Sequence, residues 1–214
     1  MSDLLERLRD LYGGGQDQAA SEFRLTERGI WHPTPLAVLA AAVPLLAETE
    51  LVKPRDHALQ ILDAGAGDGR LIAALVLGLP EALEVRPSGI ESDATLAAGA
   101  QQTLERIAAM RPLGTSRVAQ IVEGDFFDPH AYARLGLDPS DLDVVFNYPD
   151  GNERRLLQWL SAHGGAKTRL AILSPDHDPA LGSPPEWRVS VRVGGGASAD
   201  WTLAVFAPSP SGRW

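Results

Sequence analysis

Leu62-Asp63-Ala64-Gly65-Ala66-Gly67-Asp68-Gly69-Arg70 is the stretch on which the fold of this chain turns. A short apolar run, Ala58 to Leu62, leads into it, and an apolar helical pattern, Leu71 to Leu77, leads out. The order is therefore strand, glycine turn, helix. Alternating glycines let the backbone turn sharply and approach a ligand with no Cβ in the way. The helix behind the turn aims its free N–H groups at the same place. The dinucleotide pattern G-x-G-x-x-G fits in neither register. Counting from Gly65, Arg70 stands at the third glycine position; counting from Gly67, Ile72 does.

Further strands follow at regular intervals. Val85–Glu91 reads as the second, ending Gly89-Ile90-Glu91-Ser92-Asp93. An acid about 20 residues past such a glycine turn is where a Rossmann-like scheme holds a ribose diol, because a carboxylate can accept from both hydroxyls. Asp93 reads as the cap of the next helix, about Ala94–Met110, with Leu96, Ala100, Leu104 and Ile107 on its buried face. The third strand reads as Arg117–Val122, followed by Glu123-Gly124-Asp125-Phe126. The fourth, Leu142–Asn147, leads into Tyr148-Pro149-Asp150-Gly151 and a helix over 152–163 that Gly164-Gly165 ends. The fifth is Thr168–Leu173. The last two, about Trp187–Val193 and Asp200–Phe206, read as an antiparallel pair joined by Gly194-Gly195-Gly196 and anchored by Trp201 and Phe206. The helix expected between strands five and six is missing or very short.

Ahead of the glycine turn, residues 2–12 read as a short amphipathic helix ended by Gly13-Gly14-Gly15, and residues 16–24 as a second one. Trp31-His32-Pro33-Thr34-Pro35 then leads into a helix from Leu36 to about Glu48. Thr34 is placed to cap it, Pro35 to occupy its first position, and Pro44 to kink or divide it.

The D-x-G-x-G-x-G turn resembles motif I of the class I S-adenosylmethionine-dependent methyltransferases, and the resemblance covers roughly residues 30–207. It implies an α/β, Rossmann-like three-layer sandwich with a seven-stranded, mostly parallel sheet of order 3-2-1-4-5-7-6. Residues 1–50 would form an N-terminal helical cap or lid and 51–214 the cofactor-binding core. The implied cofactor is S-adenosyl-L-methionine, leaving as S-adenosyl-L-homocysteine. By the same resemblance Asp63 faces the methionine amino group, and Gly65, Gly67 and Gly69 line the methionine and ribose. Glu91 takes the ribose hydroxyls, Asp125 the adenine amine, and the backbone of Phe126 an adenine ring nitrogen.

The Trp31–Pro35 segment resembles an aromatic-x-P-T/S element that, in several methyltransferase groups, lies over the cofactor carboxylate. Trp31 and Thr34 would then belong to the cofactor site, with Trp31 and His32 as its wall. Alternatively, Trp31 is a core anchor and Thr34 only a helix cap. Asn147-Tyr148-Pro149-Asp150 resembles the (D/N/S)-P-P-(Y/F/W) motif of amine methyltransferases, at a strand end that in this family lies beside the transferable methyl group. Tyr148 replaces the first proline and Asp150 the aromatic residue, which weakens the case for a nucleobase target. Asn147, Tyr148 and Asp150 are the implied catalytic residues, with Asn147 also at the cofactor.

The short form most resembles small protein-lysine or amine N-methyltransferases. The chemistry is a direct displacement, in which positioning and desolvation do most of the work and an amine must arrive deprotonated. An oxygen nucleophile would call for a histidine or a metal, and His32 and His177 are the plausible bases. The methyl acceptor is a protein or a small molecule. The alternatives are a small-molecule O-methyltransferase of specialised metabolism and a non-catalytic cofactor-binding interaction module.

Composition narrows the rest. The chain has 214 residues, 44% hydrophobic and 22% charged, with a formal net charge of −9 and scattered cations. Nucleic acid as the main partner is disfavoured, since a phosphate backbone calls for a basic face. The sequence has no cysteine, which removes disulfides, cysteine nucleophiles and Cys-ligated zinc and fits a cytoplasmic protein. The charged N-terminus does not read as a signal peptide. No apolar run approaches the roughly 20 residues that span a bilayer. Asp176-His177-Asp178 reads as a solvated loop, so no metal is expected. A monomer or homodimer is expected.

Overall fold

Leu4, Leu5, Leu8 and Leu11 recur at helical spacing, and they are the buried residues of the first helix, α1 (Asp3–Tyr12). The computed structural model describes residues 3–13, 24–26, 29–53, 56–110, 119–175, 181, 184–193 and 201–208. Next come β1 (Arg24–Thr26) and β2 (Gly29–Trp31), an antiparallel pair with Arg24 opposite Trp31. Arg24 thus opens a strand instead of closing the second helix expected over 16–24, because pairing with Gly29–Trp31 satisfies its backbone. Residues 16–23 lie outside the described residues.

Helix α2 (Leu36–Ala47) starts one residue later than the sequence pattern suggests. Pro35 is its N-cap and no side chain caps it. The Pro35 carbonyl accepts from the N–H groups of Val38 and Leu39, at 3.0 and 3.2 Å. Thr34 is therefore not the cap. Its carbonyl is taken by an arginine, described below. Pro44 is exposed and lies within the helix, which is not divided.

Strands buried on both faces tend to be apolar runs, as Val144-Val145-Phe146 and Leu170-Ala171-Ile172-Leu173 are here, and such strands form the body of the sheet. They become β3 (Leu59–Ala64), β4 (Val85–Glu91), β5 (Gln120–Glu123), β6 (Val144–Asn147) and β7 (Arg169–Pro175), all parallel. Antiparallel β8 (Trp187–Val191) and β9 (Trp201–Phe206) complete one edge. The seven strands lie in the order β5-β4-β3-β6-β7-β9-β8, which is 3-2-1-4-5-7-6 counted within this sheet. This is the Rossmann-like methyltransferase arrangement. Helices α3 (Arg70–Gly78), α4 (Ala94–Met110), α5 (Pro129–Arg134) and α6 (Glu153–His163) fill the crossovers. The N-terminal part of the third strand read from the sequence, Arg117-Val118, and the Gly194–Gly196 link lie outside the described residues. Between β7 and β8 no helix occurs among the described residues.

Side chains alternate across each strand. Ile61, Val85, Val144 and Ala171 pack with α1, α2, α3 and α4 in one cluster. Leu62, Ile90, Val145 and Leu170 pack with α5 and α6 in the other, around Tyr132, Leu156, Leu157 and Leu160. Helix α1 is tied to the first layer by Leu8, which is fully buried. Two arginines add hydrogen bonds: Arg7 Nη1 donates to the Leu77 carbonyl at 3.1 Å and Arg106 Nη1 to the Leu11 carbonyl at 3.2 Å. No helix among the described residues is long and apolar enough to cross a membrane.

Deleting a fully buried leucine side chain costs about 2–5 kcal/mol. Leu8→Ala is therefore expected to lower unfolding free energy by about that amount in denaturant titration. A change near zero would show that α1 does not share the core.

Candidate functional site

The strand order reverses between β3 and its neighbours β4 and β6, which opens a crevice beyond their carboxyl ends. The register sets Asp63 opposite Gly89 and Phe146, and Ala64 opposite Ile90 and Asn147. A cavity of about 630 Å³ lies there, within the usual size of a small-molecule site. Trp31, Thr34, Asp63, Gly65, Glu91, Phe126, Asn147, Tyr148 and Asp150 all line it. Gly67, Gly69 and Asp125, also expected at the site, do not appear on its wall.

The glycines of the turn serve different purposes. Gly65 has φ +88, and a Cβ added to it would meet nothing within 4 Å, so its backbone lies open to the cavity. Gly67 has φ +55 and passes directly beneath the Trp31 indole, which leaves no room for a Cβ. Its N–H donates to Glu91 Oε2 at 2.7 Å. Gly69 is packed against Ala100 and Ile121.

Glu91 is buried and its other oxygen accepts from the Asp93 N–H at 2.8 Å and the Ser92 hydroxyl at 3.3 Å. Asp93 caps α4, accepting from Thr95 and Leu96. The carboxyl of Asp125 accepts from the Phe127 N–H at 2.9 Å and shapes the turn before α5.

Asp63 is the most perturbed acid of the site. Burial, then the nearby charges of Glu91 and Asp68, push its carboxyl up from 3.8 to about 8. A cation placed beside it would favour its ionised form.

Arg70, which the motif does not single out, joins the glycine turn to the segments that precede it. Its Nε donates to both oxygens of Asp68, at 2.9 and 3.1 Å, and Nη2 adds a third bond to the same carboxylate. Its Nη1 donates to the Thr34 carbonyl at 3.0 Å. The rings of Tyr12 and Trp31 lie 5.4 and 5.8 Å from its carbon. The Tyr12 hydroxyl donates to the Asp68 carbonyl at 3.4 Å, and burial pushes that phenol well above its usual range. One local sign was available: a cation in the first turn of a helix opposes its dipole, so the residue needs another reason to be there.

At the end of β6, Asn147 Nδ2 donates to the Ala64 carbonyl at 2.9 Å, while its Oδ1 is buried with no hydrogen-bond partner. Tyr148 stands next to it, its phenol pushed up by burial. The ring lies 6.1 Å from that of His32, 15° from parallel, and 6.2 Å from that of Trp201. His32 also lines the cavity, and its Nδ1 is buried without a partner. Asp150, at the rim, accepts from the Asn152 backbone at 2.9 Å and side chain at 3.2 Å, and partial desolvation pushes its carboxyl up. Among the described residues no His, Asp and Glu cluster is arranged to hold a metal ion; Asp176-His177-Asp178 lies outside them.

No protein-family model and no curated protein sequence matches the chain. Solved structures do. A Listeria monocytogenes protein described as a class I S-adenosylmethionine-dependent methyltransferase superposes with TM-score 0.62 at 16% identity, over 96% of this chain and 68% of its own. An RNA methyltransferase of Salinibacter ruber, crystallised with S-adenosyl-L-homocysteine, gives 0.53 at 23%, over 82% and 93%. Geranyl diphosphate C-methyltransferase of Streptomyces coelicolor, also with S-adenosyl-L-homocysteine, gives 0.52 at 11%, over 79% and 76%. At these identities the likeness concerns the fold, and the acceptors of these proteins differ from one another.

Because Asp63 holds its proton more tightly when folded than when unfolded, folding binds a proton between pH 3.8 and about 8. Stability contributed by the protonated form is full below that window and is lost as pH rises through it. Unfolding free energy measured from pH 4 to 9 is expected to fall more steeply for the native chain than for Asp63→Asn. Parallel curves would show that the carboxyl is already ionised in the folded chain.

Proposed function

We propose that this chain moves a methyl group from S-adenosyl-L-methionine to an amine, on a protein lysine or a small molecule. The observation that carries the acceptor class is the unpartnered Oδ1 of Asn147. A buried acceptor atom of this kind wants an N–H or O–H donor, and its own amide nitrogen is already held by Ala64. Charge points the same way. Among the described residues the cavity wall carries the acids Asp63, Asp68, Glu91 and Asp150, of which Asp68 is paired with Arg70 and Asp150 is the one not given to the cofactor below. Such a wall favours a cationic or amine-bearing acceptor over a phosphate-rich one.

The residues present fit the cofactor. In this reading Asp63 meets its ammonium, Glu91 its ribose hydroxyls and Phe126 its adenine, and the open backbone of Gly65 allows close approach; all four line the cavity. Asp125 belongs to this proposal through the turn that it holds, and Gly67 and Gly69 through the path of the backbone. Thr34 and Trp31 close the side facing the N-terminal cap. When bound, the cofactor supplies an electrophilic methyl carbon. The protein's part is to hold the acceptor in line, exclude water and remove one proton. Asn147 orients the amine, Tyr148 covers it, and Asp150 attracts a cation at the rim.

Calorimetric titration of the full chain with S-adenosyl-L-homocysteine, beside NAD, tests the cofactor. Micromolar binding of the former alone is expected; binding of NAD alone overturns the reading, and binding of neither favours an interaction module. Gly65→Ala sharpens the test. Its positive φ costs about 1 kcal/mol of stability, while the new methyl stands in the cavity. Affinity for S-adenosyl-L-homocysteine is expected to drop about tenfold or more, with folding retained.

A further inference from the structure

Among the described residues, two that line this cavity each carry a buried side-chain atom with no hydrogen-bond partner: Asn147 Oδ1 and His32 Nδ1. They belong to distant parts of the chain, one at the end of β6 and the other just after β2. Tyr148 connects them, following Asn147 in sequence and setting its ring nearly parallel to the imidazole. The Asn147 oxygen can only accept, since the amide nitrogen is fixed on the Ala64 carbonyl at 2.9 Å. The imidazole Nδ1, in the neutral ring that carries its proton on Nε2, can accept a hydrogen bond and then the proton itself.

We propose that His32 is the catalytic proton acceptor of this site, and that the methyl acceptor is a primary amine held between His32 Nδ1 and Asn147 Oδ1. The proposal rests on the methyl-transfer reading above. A primary ammonium carries enough N–H groups to satisfy both atoms at once. A hydroxyl has one proton and satisfies one of them; a tertiary amine or an ionised phosphate leaves at least one unpaired. The step balances. The ammonium gives one proton to Nδ1, forming a neutral amine and an imidazolium. The freed lone pair on nitrogen makes the new N–C bond as the C–S bond breaks, and the C–S electron pair stays on sulfur, which becomes a thioether. The product leaves as a methylated ammonium, and the imidazolium returns its proton to solvent.

Sinefungin tests this without knowledge of the acceptor. It places a primary amine on the carbon that replaces the methylated sulfur of the cofactor, where S-adenosyl-L-homocysteine carries no donor. The full chain is expected to bind sinefungin about tenfold more tightly than S-adenosyl-L-homocysteine, the worth of one hydrogen bond to a charged group. The ratio of the two affinities within each variant is the readout. His32→Leu is expected to abolish the preference. His32→Asn, whose oxygen falls near the position of Nδ1, is expected to keep most of it. In the native chain, the ¹⁵N resonance of His32 Nδ1 is expected to move toward the imidazolium range with sinefungin and not with S-adenosyl-L-homocysteine. Binding of S-adenosyl-L-homocysteine with no sinefungin preference, a preference that survives in His32→Leu, or an unmoved resonance overturns the role of His32 alone. Absence of S-adenosyl-L-homocysteine binding overturns the cofactor reading and this inference with it.

Discussion

The guanidinium of Arg70 holds the N-terminal segment to the glycine turn, and the shape of the cavity depends on that junction. A buried cation is costly unless every direction of its fork is met. Here Asp68 takes two nitrogens, the Thr34 carbonyl takes the third, and the rings of Tyr12 and Trp31 cover the ion. Lysine offers a point charge and no planar fork, so it would not satisfy the same set. The partners come from α1, the end of β2, the lead-in to α2 and the turn itself. One side chain thus fixes four pieces of chain that share no sheet hydrogen bonds with one another, and sets the roof of the cavity over its floor.

The floor is built under electrostatic tension. β3 and β4 run parallel and side by side, so Asp63 and Glu91 reach the same edge. Glu91 relieves its charge by accepting from Gly67, Ser92 and Asp93. Among the described residues Asp63 has no comparable set of donors, and burial beside these charges pushes its carboxyl up instead. The tension therefore rests on one carboxyl at the cavity wall, and a cationic group arriving there would release it.

Much of this was legible in the chain. The apolar stripe of Ala94–Met110 coincides with α4 to the residue, because burial on one face leaves a strong pattern, and the strand read over Val85–Glu91 coincides with β4 although only Val85 and Ile90 in it are strongly apolar. The positions at strand ends, Asp63, Glu91 and Asn147, were equally visible, since register carries them to one edge. What escaped depended on partners distant in sequence. Thr34 looks like a cap until Arg70 is known to take its carbonyl. The three glycines look alike in the motif, yet only what lies above each one distinguishes open backbone at Gly65 from tight packing at Gly67 and Gly69. Arg70 itself was counted only as a departure from another pattern.

The contact between Trp31 and Gly67 also constrains how such a chain changes over generations. No side chain fits at position 67 while the indole lies over it, and the positive φ there disfavours any L residue even if it did. A smaller residue at position 31 would relieve the first obstacle, but would uncover Arg70 and leave the second in place. Drift at either position is therefore conditional on the other, and the first step of any two-step exchange that begins at 67 is blocked. Sequences descended from a common ancestor with this packing should keep the glycine longer than the tryptophan.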